Sequence, residues 1–139
     1  MAGWIRLFAG AILVCVGLAS CAASALPVLP AGSVRAQYRS DDVTFTLDSP
    51  RDPQINHAQH LRVTLLDAQG RPIEAESLYL DMTMDMLCLS GSKPVAQPTA
   101  QGRYEVDVVY VMAGSWRVTA VAELADRELR ATFPITVSE

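Results

Sequence analysis

From residue 43 to residue 137, apolar side chains recur at every second position, and this period restricts the fold more than any other feature of the chain. Val43-Thr-Phe-Thr-Leu47 alternates apolar residues with threonine, and Leu61-Arg-Val-Thr-Leu65 repeats the pattern before the turn-forming Asp67-Ala-Gln-Gly70. Further runs follow at Leu78–Cys88, Tyr104–Met112, Trp116–Leu124 and Leu129–Val137. A period of two turns alternate side chains to opposite faces, as a half-buried strand requires and a helix does not. Pro134 lies in the last run on the other parity, which makes that strand an edge or places its missing N–H away from the ladder. Ala113-Gly-Ser115 supplies a tight turn in which Gly114 takes positive φ, and Ser90–Gly102, with Pro94 and Pro98, is the longest internal loop. Short antiparallel strands at this spacing predict an all-β, immunoglobulin-like β-sandwich of about six to seven strands over residues 43–139.

The 139 residues leave room for one such domain once the N-terminus is set aside. Arg6 is the only charge before position 35, and the apolar run Leu7–Leu18 is shorter than the roughly 20 residues of a membrane span but suits the core of a secretory signal. The run ends in Leu18-Ala-Ser-Cys21, which resembles the bacterial lipobox. That resemblance implies a lipoprotein signal peptide over residues 1–20, lipidation of Cys21 by acyl chains such as palmitate, and a membrane-anchored, extracytoplasmic domain. Ala22, in place of an aspartate, implies outer-membrane sorting if the envelope is Gram-negative, with the domain on the periplasmic face. Cleavage at Ala23-Ser-Ala25 and an uncleaved anchor reaching toward Leu29 are the competing readings. Residues 21–42, rich in Ala, Pro and Ser, read as a flexible tether with a reach of about 25 Å.

Asp67-Ala-Gln-Gly-Arg-Pro-Ile73, the methionine strand that follows, Gly102-Arg-Tyr104 and Met112-Ala-Gly-Ser-Trp116 form an ordered set that resembles the YtkA-like family, which includes the FixH-type proteins. The resemblance spans about Val43 to Val137. It implies a small extracytoplasmic β-sandwich, and for FixH-type members an association with assembly of copper-containing respiratory oxidases. Two departures stand out. FixH-type proteins carry a transmembrane helix where this chain has a lipobox, and Thr83 follows Met82 where many relatives have proline.

Cysteine and methionine usage then poses the functional question. With Cys15 in the leader and Cys21 acylated, Cys88 is the one thiol left to the domain, so no internal disulfide forms there. In Asp81-Met-Thr-Met-Asp-Met-Leu-Cys88 the sulfurs of Met82, Met84, Met86 and Cys88 share one strand face, with Asp81, Thr83 and Asp85 on the other. One reading is core filling by an adaptable side chain. The other is a soft-metal site, because thioether and thiolate ligands select cuprous copper. Residues two apart on a strand are separated by about 6.6–6.8 Å, so Met84 and Met86 can share an ion with Cys88 or with Met112. His57 and His60, spaced H-x-x-H ahead of the second strand, read as solvated loop residues and as reserve ligands for oxidised copper.

Other functions fit poorly. A net charge of −4 with no basic stripe argues against nucleic acid. Nothing near Cys88 supplies the base and orienting group of a nucleophilic enzyme, and no phosphate-binding glycine loop is present, so catalysis is not expected. Besides the membrane, the expected partners are copper or, for a metal-free interaction module, an envelope protein docked on a strand edge or on the Ser90–Gly102 loop.

Overall fold

A computed structural model describes residues 26–84 and 92–139. They form eight strands: β1 Ser33–Ser40, β2 Val43–Pro50, β3 Ala58–Leu66, β4 Ser77–Met84, β5 Gln97–Ala100, β6 Arg103–Val109, β7 Gly114–Glu123 and β8 Glu128–Val137. One antiparallel sheet runs β1-β2-β3-β6-β5 and the other β4-β7-β8, the two faces of a sandwich.

The period-two residues build the core. Val43, Phe45 and Leu47 of β2, and Leu61, Val63 and Leu65 of β3, are buried between the sheets with Leu78 and Leu80 of β4, Val118 and Ala120 of β7, and Leu129 and Phe133 of β8. Burial of each large aliphatic or aromatic side chain stabilises the fold by about 1.5–3 kcal/mol. β8 alternates along its whole length and closes one edge of its sheet, so Pro134 sits where a missing N–H is tolerated.

The sandwich begins earlier than the tether reading of residues 21–42 allows. Ser33–Ser40 is strand β1, paired with β2 from Ser33↔Pro50 to Ser40↔Val43. Val34, Ala36 and Tyr38 alternate with Arg35, Gln37 and Arg39, but these apolar side chains stay exposed and the run continues an Ala-, Pro- and Ser-rich stretch, so it reads as tether. Its hold on β2 is polar: Arg35 donates to both carboxylate oxygens of Asp48, Nε at 2.6 Å and a terminal nitrogen at 2.8 Å. The same terminal nitrogen donates to the Pro27 carbonyl at 2.7 Å, which fastens the segment ahead of β1 to the domain.

The expected loop Ser90–Gly102 also holds structure. Residues 92–96 run along the outer side of β4, where Met82 N–H donates to Ser92 O, Leu80 N–H to Pro94 O and Ala96 N–H to Leu78 O. The chain then crosses to the other sheet as β5, beside β6. One segment thus covers the rim of both sheets, and the strand count rises to eight.

The two ends of the sandwich differ. One end gathers the β1–β2 hairpin, residues 66–77, the β5–β6 turn and the β7–β8 turn. There Asp67 accepts from the Gln69 and Arg71 amides and from the Arg71 guanidinium, and these bonds, the Arg71 amide foremost, lower its pKa below the usual 3.8. Leu65 N–H donates to Gly102 O and Ile73 N–H to Leu65 O, while the Tyr104 hydroxyl accepts from Ala75 N–H at 2.7 Å. The Asp67–Ile73 and Gly102–Tyr104 motifs are therefore one structural unit. The other end gathers the start of β1, residues 50–57, the last residue of β4, residues 109–114 and the end of β8.

Candidate functional site

The second end receives the methionine strand. β4 alternates strictly, with Leu78, Leu80, Met82 and Met84 inward and Asp81 and Thr83 on the outer face. Met82 is 2% exposed and belongs to the core. Met84, 7% exposed, lies at the rim opposite Trp116 of β7. Its terminal methyl sits against Gly114: a Cβ there would stand 3.3 Å from Met84 Cε. Gly114 also holds φ +127°, and it is this backbone conformation that calls for glycine.

The connection between β6 and β7 carries Met112, which is 38% exposed. Its carbonyl accepts the Trp116 indole N–H at 2.9 Å, a bond that fixes the turn. Trp116 itself is a buried core aromatic. The ring of Tyr110 meets it edge-on, centroids 5.2 Å apart at 66°. Tyr110 is fully buried and its hydroxyl has no hydrogen-bond partner among the described residues, and burial pushes its pKa up to about 12. Period two forecasts Tyr110 as inward-facing, because it shares parity with Tyr104 and Val108, but it says nothing of the unpaired hydroxyl.

Of the expected metal ligands, Met84 and Met112 thus lie at the same end of the sandwich. Met82 is sealed deeper along β4, and Met86, Cys88 and the expected lipidation site Cys21 lie outside the described residues. The histidines go elsewhere. His60 belongs to β3, not to a loop. Its Nδ1 lies 2.8 Å from Asp107 Oδ1 and its Nε2 3.5 Å from Glu105 Oε2, on the outer face of the five-stranded sheet. His57 Nδ1 donates to the Ile55 carbonyl at 2.9 Å. Among the described residues, no group of three or more His, Cys, Asp or Glu side chains could hold a metal ion.

A cleft of about 170 Å³ opens between β1 and β8, lined mainly by Val34, Ala36, Leu47, Phe133, Pro134 and Ile135. Its walls are largely apolar and hold no acid–base pair.

No curated protein and no solved structure matches the chain. A family match, described as YtkA-like, covers residues 38–121. That span takes in the Asp67–Ile73 turn, the methionine strand, Gly102–Tyr104 and the Met112–Trp116 turn, more than half of the chain, which belongs to the YtkA-like family.

Proposed function

We propose that this protein is an extracytoplasmic binding module, acylated at Cys21 and so held to a membrane, that takes cuprous copper on the sulfur rim of its sandwich. The observation that carries the reading is the meeting of β4 with the β6–β7 turn: the Met84 tip packs on Gly114, two residues from Met112. Two thioethers reach one end of the domain from different segments. A soft monovalent cation is the ion such donors favour. Met86 and Cys88, which follow Met84 in the chain, are the nearest sources of a third ligand. The role is binding or handing on an ion, not catalysis.

A competition titration of the reduced protein against a cuprous chelator tests this. About one equivalent should bind, and Met84→Leu with Met112→Leu should weaken binding at least tenfold. Those swaps conserve volume and should cost under about 1.5 kcal/mol each in stability. Undiminished binding by the double variant would remove the proposed site. Cys21→Ser should move the protein out of the membrane fraction, and retention there would refute the lipid anchor.

A metal-free interaction module for an envelope partner is the second reading, and the near-complete burial of Met82 and Met84 supports it. It predicts no cuprous binding by the unaltered protein, with a partner captured by crosslinking in membranes.

A further inference from the structure

The end of the sandwich that carries Met112 is also the end at which the chain enters from Cys21. Arg35, bonded to the buried Asp48, holds the Pro27 carbonyl, so the path from Cys21 to the domain is six residues instead of twenty-one. Fully extended, that path spans about 20 Å, and as a flexible chain about 13 Å. A domain tethered this closely keeps its entry end near the anchor.

The surface at that end suits such a position. Val109 and Val111 are 52% and 60% exposed and Met112, next in the chain, is 38% exposed, while the exposed Val34 stands on β1, three strands across the same sheet. Residues 109–114 contain no charged side chain. The opposite end carries Asp41, Asp42, Asp67, Glu76, Asp126 and Glu128, of which Asp42, Asp67 and Glu128 are paired with Arg127, Arg71 and Arg130. Charged groups there would lose hydration against lipid, while an apolar patch gains by leaving water.

From these features we infer that the 109–114 end faces the lipid surface and rests on it, with the acidic end pointing away. The inference rests on acylation of Cys21. It places the sulfur rim next to the bilayer, within reach of a membrane-embedded donor or acceptor.

Depth-dependent fluorescence quenching tests the orientation. The acylated full-length product, reconstituted in phosphatidylcholine–phosphatidylglycerol vesicles containing a spin-labelled lipid, would carry one dye in a Cys88→Ser background, either at Val111→Cys or at Asp126→Cys. Quenching at position 111 should exceed that at 126 several-fold. Equal or reversed quenching in protein that floats with the vesicles would overturn the orientation and leave the anchor standing. Protein that fails to float would remove the anchor and the orientation with it. Inserting twelve Gly/Ser residues between Ser24 and Ala25 should keep the protein on vesicles and reduce quenching at 111 several-fold. Quenching indifferent to that insertion would overturn the role given to the Arg35–Pro27 fastening.

Discussion

At Gly102 the backbone holds φ +63°, and a Cβ would stand 2.8 Å from Leu65 O and 2.9 Å from Pro72 Cβ. Neither neighbour is a flexible tip that can swing away. Gly102→Ala should therefore destabilise the fold by about 2–4 kcal/mol, combining left-handed strain with overpacking, as read from the denaturant midpoint. Tyr110 presents the opposite case. Its hydroxyl loses water on folding and gains no partner among the described residues, so Tyr110→Phe should change stability at pH 7 by less than about 1 kcal/mol. The difference emerges in alkali. The phenol titrates near 10 in the unfolded chain and is pushed up to about 12 in the fold. Its contribution is complete below pH 10 and is lost as pH rises toward 12, because only the unfolded chain gains the ionised form in that window. Unfolding curves at stepped pH should show the unaltered protein losing stability across that window and Tyr110→Phe losing less. An identical decline in both would contradict the buried, unpaired phenol.

Among the elements, β4 departs from what its place suggests. In the order β4-β7-β8 it is a terminal strand, yet residues 92–96 accept or donate along its outer side. Amide exchange should show Leu80 and Met82 N–H protected as well as the central β7 amides, whereas free-edge amides would exchange much faster. This cover was not legible in the sequence. Period two located β2, β3, β4, β6, β7 and β8, because each buries one face and the burial is written in alternate residues. β1 and β5 escaped for the converse reason. All four residues of β5 are exposed, one of them Pro98, and in β1 the alternating Val34, Ala36 and Tyr38 are exposed while Arg35 pairs with the buried Asp48. A strand held by backbone pairing and one ion pair buries no apolar face, so within an Ala-, Pro- and Ser-rich stretch it reads as linker. The candidate site divides along the same line. Parity placed Met82 and Met84 inward, but only the register of β4 with β7 shows which of the two reaches the rim. The spacing of His57 and His60 gave no hint that Asp107 and Glu105, far away in the chain, would engage His60 across β3 and β6.

On the scale of the whole molecule, the sandwich separates two sets of family motifs. The Asp67–Ile73 and Gly102–Tyr104 segments brace one another at the charged end, through the Gly102 carbonyl and the Tyr104 hydroxyl. The methionine strand and the Met112–Trp116 turn meet at the apolar end. The first set is accounted for by folding, since each residue closes a turn or satisfies a backbone group. The second is only partly so: Trp116 and Gly114 complete the packing, but core stability does not call for an exposed methionine at Met112, two residues from the Gly114 on which the tip of Met84 packs. The proposed membrane tethering and ion handling both draw on that end. X-ray absorption at the copper edge of the reduced, copper-loaded protein examines the point directly. A first shell of sulfur at about 2.3 Å is expected, depleted when Met84 and Met112 are both leucine. Failure to retain copper, or a shell of nitrogen and oxygen alone, would contradict it.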